Sequence, residues 1–151
     1  MERENQSGEN EKLVAIRIKG TIKIKSKIES TLKMLNLYKN NYCVVIPNNP
    51  NYIGMLKKAK DHITWGEIDD GTYKILVEKK AENFKGRQTD TKGKMKYNDF
   101  ISIDNKKIKK YFRLKPPRKG FGRKGIKHSY SEGGALGYRG TAINELIKRM
   151  V

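Results

Sequence analysis

The sequence predicts an α+β protein in which a small folded core is followed by a basic extension. Three strand-like apolar segments alternate with two helix-like segments over residues 13–68, which gives the order β-α-β-α-β. Of the 34 Lys and Arg residues, 21 fall within residues 78–151, which contain only 7 Asp and Glu. The last ten residues, 142–151, return to a helical apolar pattern, so the extension is predicted to end in a helix.

The first two elements follow from local pattern. Leu13–Lys19 alternates apolar and other side chains, which is typical of a strand buried on one face. Ser26, followed three residues later by Glu29, has the pattern of a capping box and predicts the start of the first helix. Tyr42–Ile46 is a short β-branched apolar run and is predicted to be the second strand, which Pro47 ends.

The remaining elements are marked by proline and glycine. Asn49-Pro50 predicts the start of the second helix, because proline is favoured in the first helical turn. A third strand is predicted over Ile63–Ile68, although Gly66 interrupts its pattern, and a further helix is predicted over Thr72–Glu82. Residues 84–105 show no convincing period and are predicted to be irregular or partly ordered.

Composition divides the chain into five parts. They are predicted to be an acidic, disordered extension (1–12), an α+β core (13–77), a helix with an irregular insertion (78–110), a basic Gly- and Pro-rich segment (111–140), for which the charge pattern predicts RNA contact, and a helix that docks on the core (141–151).

The charge predicts a polyanionic partner. The net charge is +18, and residues 105–131 contain 11 Lys and Arg but no acid, whereas a merely solvated surface mixes both signs. Within this run Pro116-Pro117 imposes an extended backbone, and arginines hold phosphates with two hydrogen bonds. Tyr111, Phe112 and Phe121 offer rings for stacking on unpaired bases, so this segment is predicted to bind RNA.

Three other loops have two interpretations each. The lysine-rich loop 21–27 is either a turn beside the N-terminus of the first helix or an extended hairpin arm, and both place its lysines outward. Residues 48–52 either cap the second helix or hold a phosphate. The glycine-rich stretch 132–140 either forms a tight turn or presents Tyr138-Arg139 to RNA.

Catalysis and cofactor binding find little support. There are two histidines and neither a C-x-x-C nor an H-E-x-x-H motif, so no metal, cofactor or small-molecule substrate is expected. Residues 120–125 spell G-x-G-x-x-G, but they follow Pro-Pro rather than a strand, which excludes a dinucleotide site. Cys43 is expected to be a small core residue.

The expected location is the cytoplasm. No apolar run approaches the ~18 residues that span a bilayer, and the N-terminus lacks the apolar stretch of a signal peptide. A single cysteine fits a reducing compartment.

Several motifs resemble the large-subunit ribosomal protein family "L-thirty". They are Val14–Gly20, Ile46–Leu56, Ile63–Asp69 and the two C-terminal stretches 112–121 and 133–140, which resemble the longer archaeal and eukaryotic members. The resemblance implies a three-stranded antiparallel sheet with two helices on one face, related to the ferredoxin fold. It also implies a structural role on large-subunit rRNA, with neighbouring ribosomal proteins and 5S rRNA as candidate partners.

The candidate RNA contacts combine the charge pattern with this resemblance. They are Arg17, Lys23, Lys25, Lys27, Asn49, Tyr52, Arg113, Lys115, Arg118, Lys119, Phe121, Arg123, Lys124, Lys127, Tyr138 and Arg139. The alternative is a general nucleic-acid-binding protein of the chromatin or RNA-chaperone type. A peripheral membrane protein fits less well, because the final helix has only two cations.

Overall fold

A computed structural model describes residues 12–86, 91–94, 100–103 and 105–151 of the chain. The acidic extension predicted over residues 1–12 lies outside the described residues except for Lys12, and so do parts of the predicted insertion 78–110.

The described residues form seven strands and four α-helices. In chain order they are β1 (Lys12–Arg17), α1 (Ser26–Met34), β2 (Tyr42–Pro47), α2 (Pro50–Lys58), β3 (Ile63–Glu67), α3 (Asp70–Lys80), β4 (Phe100–Ile103), β5 (Lys106–Lys109), β6 (Phe112–Arg113), β7 (Gly137–Tyr138) and α4 (Ile143–Met150). The longest of these helices, α3, has 11 residues, and none of the four is long and apolar enough to cross a membrane.

The main sheet has the order β6-β2-β1-β3-β7. β1 is antiparallel to both β2 and β3, with Val14 opposite Val45 on one side and Gly66 on the other, which confirms the predicted antiparallel core. The sheet nevertheless has five strands rather than three, because β6 adds to β2 antiparallel and β7 adds to β3 parallel. Each added strand has two residues, which is too short for alternation to reveal in a sequence.

Both faces of this sheet are buried. One face packs against α1 and α2 through Leu13, Ala15, Leu32, Val44, Leu56 and Trp65. The opposite face packs against α3 and α4 through Val14, Ile16, Leu76, Ile143, Leu146 and Ile147. Two helices therefore cover one face as expected, but the prediction that β1 is buried on only one face is wrong, because apolar residues alternate on both of its sides.

Cys43 lies in the core as predicted. Its side chain is fully buried against the α3 and α4 face, and burial raises the pKa of the Cys43 thiol. A neutral, inaccessible thiol is a packing group rather than a nucleophile.

The helix starts differ in their caps. α2 begins as predicted, with Asn49 at the N-cap position and Pro50 as the first helical residue, although the Asn49 side chain makes no capping hydrogen bond. The capping box predicted for α1 is wrong, because Lys25 occupies the N-cap and makes no capping hydrogen bond, while Ser26 is already helical. α3 is capped by Asp69, whose carboxylate accepts a hydrogen bond from the Thr72 backbone N–H at 2.6 Å.

Asp69→Ala is expected to lower the free energy of unfolding by about 1 kcal/mol at pH 7, because it removes this cap. Hydrogen bonds from Thr72 lower the pKa of the Asp69 carboxyl in the folded chain. Its charge-dependent stabilisation is therefore complete above the unfolded-state pKa and is lost as pH falls through the lower folded-state pKa. Asp69→Asn keeps an acceptor but cannot titrate, so it serves as the control in urea denaturation. An equal loss of stability in acid for wild type and Asp69→Asn would contradict this prediction.

The insertion predicted to be irregular contains a hairpin. β4 and β5 are antiparallel, with Ile101 opposite Ile108, and Asn105, just before β5, has φ +64°. Lysines at three of the four β5 positions hide the strand pattern, while Ile108 is 4 % exposed and anchors the hairpin to the core. The prediction of irregular structure over residues 84–105 is therefore wrong for β4.

Gly66 is explained by close packing. A Cβ at this position would lie 2.0 Å from the backbone oxygen of Gly140, in the turn that precedes α4. The backbone N–H of Arg139 donates to the Trp65 oxygen at 2.9 Å and fastens the same turn to β3. β3 therefore continues through a glycine because a larger residue would push this turn away.

Candidate nucleic-acid interface

Residues 111–140, called here the basic segment, leave the sheet at one edge and return at the other. Arg113 in β6 lies opposite Tyr42 of β2, and Tyr138 in β7 lies beside Trp65 of β3. Since β6 and β7 are the two outermost strands, the residues between them cross from one edge of the sheet to the other.

The first half of the basic segment is held by the C-terminal end of α4. The backbone N–H groups of Lys115 and Arg118 donate to the Met150 and Arg149 oxygens, at 3.0 and 3.2 Å. Arg149 Nη1 returns hydrogen bonds to the oxygens of Arg118 (3.1 Å) and Gly120 (2.8 Å). Carbonyls in the last turn of a helix have no partner within the helix, so this docking satisfies both elements. The backbone is therefore fixed while the cationic side chains point outward.

The second half folds as a tight turn. The Gly134 N–H donates to the Ser129 oxygen at 2.8 Å, and the Ala135 N–H donates to the His128 oxygen at 3.0 Å. A Cβ on Gly134 would lie 2.2 Å from that His128 oxygen, so only glycine fits. Of the two interpretations of the glycine-rich stretch, the turn describes residues 128–136.

Most of the predicted contact residues are exposed. The exposed ones are Lys23, Lys25, Lys27, Asn49, Arg113, Lys115, Arg118, Lys119, Arg123, Lys124, Lys127 and Tyr138. Apart from Asn49 at the N-cap of α2, they form two groups along the chain, the lysine loop before α1 and the basic segment. Exposure makes these side chains accessible to a partner, and their contact with RNA stays a prediction.

Arg17 is placed differently from its prediction. It is 1 % exposed, and its guanidinium donates to the backbone oxygens of Lys19 (2.9 Å), Leu37 (2.8 Å) and Gly20 (3.2 Å). Burial lowers the pKa of Arg17, although a guanidinium stays protonated in proteins. Arg17 therefore joins the turn after β1 to the turn after α1, and its predicted surface role is corrected to a structural one.

Arg17→Ala is expected to lower the free energy of unfolding by about 2 kcal/mol, because it removes three hydrogen bonds from a charged donor and leaves a cavity. Urea denaturation measures the change. Lys39→Ala is the control, since Lys39 is an exposed cation and its loss should change stability by less than about 0.5 kcal/mol. Equal stability of the two variants would show that the hydrogen bonds of Arg17 contribute nothing.

Arg139 is also removed from the surface. It is 6 % exposed, and its guanidinium donates to Thr64 Oγ1 and to the Ala135 oxygen, both at 2.8 Å. Its Cζ lies 4.8 Å from the centre of the Tyr130 ring, and burial lowers its pKa. Its neighbour Tyr138 is 54 % exposed and donates to Glu67 Oε1 at 2.5 Å. The pair predicted to face RNA together is therefore divided between core and surface.

The predicted stacking rings are largely used in packing. Phe112 is 1 % exposed in the core, and Phe121 is half-buried between two apolar clusters. Tyr52 packs partly against the α1 and α2 face of the sheet. Tyr111 is also half-buried, because it packs against the same face and stacks on Tyr42 with ring centres 4.9 Å apart.

An acid that sequence patterns missed organises the start of the basic segment. Glu82 pairs with Arg113 Nε through Oε1 at 2.5 Å and with Lys109 Nζ through Oε2 at 3.0 Å. The hydrogen bond from Arg113 is the main cause that lowers the pKa of Glu82. Arg113 is therefore already paired within the chain, and it lies 31 residues from Glu82, too far for local pattern to link them.

Comparison with known proteins identifies the family. Residues 13–63 match the family model described as "Ribosomal protein L30p/L7e". "Large ribosomal subunit protein uL30" of Methanopyrus kandleri is 40 % identical over 149 residues, which cover 89 % of this chain and all of that protein. The uL30 protein of Methanosphaera stadtmanae is 41 % identical over 150 residues, covering 90 % and 97 % of the two chains. The chain belongs to the uL30 family.

Membership of the uL30 family confirms the resemblance seen in the sequence motifs. The uL30 protein of Nanoarchaeum equitans, 38 % identical over 148 residues, also covers 89 % of this chain, so the similarity extends beyond the 51-residue match of the family model into the basic segment. These relatives are archaeal, which agrees with the predicted resemblance to the longer archaeal and eukaryotic members. uL30 proteins are structural rather than catalytic, and nothing in the comparisons favours the alternative of a chromatin or RNA-chaperone protein.

Proposed function

We propose that this uL30 family member is a structural protein of the large ribosomal subunit that binds rRNA through the exposed cations of the basic segment and of the lysine loop. The observation that carries the proposal is the basic segment itself. Its exposed cations are Lys115, Arg118, Lys119, Arg123, Lys124 and Lys127, together with Arg113, which Glu82 already holds. Cations that neutralise phosphates release counterions, and this release supplies the sequence-independent part of RNA affinity.

The fixed backbone of the basic segment suits this role. α4 and the two sheet edges hold it by hydrogen bonds before any partner arrives. A free basic tail would lose backbone conformational entropy when it binds RNA. Because most of this backbone is already held in place, binding costs less of that entropy. Lys119 at φ +66° and Gly120 at φ +77° turn the chain sharply, so the cations on either side point in different directions. This geometry suits a groove with phosphates on more than one side.

The finer partners belong to the same proposal. Neighbouring ribosomal proteins and large-subunit rRNA are the partners, with 5S rRNA among the candidates, and the location is the cytoplasm, within the subunit. The proposal includes no catalytic activity, small-molecule substrate or membrane partner.

Sedimentation tests the proposal. The full chain, tagged and expressed in an archaeal host, is expected to sediment with large subunits and to leave them only at high salt, because phosphate contacts weaken as salt rises. Duplex DNA is expected to compete poorly with rRNA for the purified chain. Recovery as a free monomer that ribonuclease does not affect would overturn the proposal, and equal competition by DNA would favour a general nucleic-acid binder.

A further inference from the structure

A cleft lined by aromatic and lysine side chains lies beside the β4–β5 hairpin. Its volume is about 290 Å³, and its lining includes Tyr38, Phe84, Lys85, Lys109, Lys110 and Tyr111. None of its lining residues among those the structure describes is acidic. Tyr111 of this lining belongs to the basic segment, whereas no candidate RNA contact lies among residues 84–110.

Two tyrosine rings give the cleft a fixed aromatic corner. Tyr111 stacks on Tyr42 with ring centres 4.9 Å apart and planes 9° apart, which fixes its orientation. Tyr38 meets Tyr111 edge to face, at 5.9 Å and 78°. The Tyr38 hydroxyl donates to Asn36 Oδ1 at 3.0 Å, and the Tyr38 side chain is 43 % exposed. Tyr42 covers one face of Tyr111, and the Lys109 ammonium lies 5.7 Å from the centre of that ring. The exposed Tyr38 ring is therefore the aromatic surface that the corner presents to solvent.

The lysines surround this corner on a backbone that is also fixed. The Phe84 N–H donates to the Lys107 oxygen and the Lys109 N–H donates to the Glu82 oxygen, both at 2.9 Å, which holds residues 82–84 against β5. Lys109 is paired with Glu82. Lys85 and Lys110 are therefore the cations best placed to meet an anion that enters the cleft.

We propose that this cleft binds one unpaired nucleotide of rRNA, with its base stacked at the Tyr38–Tyr111 corner and its phosphate near Lys85 and Lys110. This inference rests on the proposed function and deepens it. An aromatic face beside cations is the chemistry that recognises a base and a phosphate together, and the nearby acid Glu82 is already paired with Lys109 and Arg113. An apolar ligand would use the rings but leave the lysines without a role, and duplex RNA would present no accessible base face to the rings.

The experiment measures binding of the purified full chain to an eight-nucleotide RNA of mixed sequence without self-complementarity, and to an RNA hairpin duplex. Tyr38→Ala is expected to weaken single-strand binding by about fivefold or more, the lower end of the range for losing one base–aromatic stack. Tyr38→Phe keeps the ring and should bind within about twofold of wild type. Duplex binding and the salt dependence of both should stay unchanged for each variant, since no phosphate contact is lost.

Lys85 supplies an independent variant on the other side of the cleft. Lys85→Gln is expected to weaken single-strand binding and to lower the salt slope of that binding by about 0.7. Lys74→Gln removes the same charge from an exposed position on α3 and is the control, so it should change the affinity and the salt slope by less. If both Tyr38→Ala and Lys85→Gln bound single-stranded RNA as tightly as wild type, the proposal that this cleft binds a nucleotide would be overturned. If the chain still sediments with large subunits in that case, the proposed function stands without it. An equal loss of duplex and single-strand binding in Tyr38→Ala would also overturn base recognition.

Discussion

Replacing Arg118, Arg123 and Lys124 together by Gln is expected to lower the salt slope of RNA binding by about 2–3 units. The three side chains are exposed, and each phosphate contact contributes about 0.7–0.9 to the slope. Affinity should fall most at low salt, where counterion release contributes most. Fluorescence anisotropy with an rRNA fragment over about 50–200 mM salt measures both quantities. Arg113 is left unchanged because Glu82 already holds it.

A second triple variant with the same net charge shows whether the salt slope depends on where the positive charges lie or only on how many there are. Lys57, Lys58 and Lys74 are exposed lysines on α2 and α3, outside the candidate interface. Replacing these three by Gln also removes three positive charges, but it should lower the slope by less than one unit. If the two triple variants had the same slope, binding would depend on the total charge, and the basic segment would have no special role.

Gly66→Ala is expected to destabilise the fold by about 3 kcal/mol, at the upper end of the cost of adding a methyl group to a packed interior. The new Cβ would lie 2.0 Å from the Gly140 oxygen, which is backbone and cannot rotate away. Relief requires the turn before α4 to move, which strains the hydrogen bond from the Arg139 N–H to Trp65. Urea denaturation monitored by Trp65 fluorescence reports the change.

Gly54→Ala is the matched control for that measurement. Gly54 is an exposed residue of α2, and a Cβ added there would have no atom within 4 Å. Because glycine weakens a helix interior, alanine should raise the free energy of unfolding by about 0.5–1 kcal/mol. The two Gly→Ala changes are thus expected to have opposite signs. If Gly66→Ala also stabilised the protein, the turn before α4 would be able to move away from the new Cβ without loss of stability.

The fold could be predicted as far as local periodicity reaches. The three central strands and the proline-initiated α2 follow from patterns within ten residues. β6 and β7 could not be found, because two residues carry no period and their pairing partners are 69 or more positions away along the chain. β5 was hidden because lysines occupy three of its four positions, and β4 has only four residues, too few to establish a period by themselves.

The charge pattern of the sequence predicted where the candidate site lies, but it could not predict which of its cationic residues are buried. An acid-free run identifies where cations concentrate, and most of them are exposed. Arg17 and Arg139 look the same in the sequence as Arg118, yet both are buried and donate to backbone oxygens or to Thr64. Only the folded structure distinguishes an arginine that donates hydrogen bonds to backbone oxygens in turns from one that is exposed and accessible to phosphates. The Tyr38–Tyr111 corner likewise joins residues that are far apart in sequence.

The position of α4 has a consequence for protein synthesis. β3 ends at Glu67, whereas α4 begins at Ile143, so 75 residues must be translated between the third central strand and the helix that completes the cover of one sheet face. At about 5–20 residues per second this takes roughly 4–15 s. During that interval the nascent chain carries strands whose Val14 and Ile16 side chains lack their final cover. We expect molecular chaperones to matter most for this chain in that window, before the basic segment has crossed the molecule and α4 has docked.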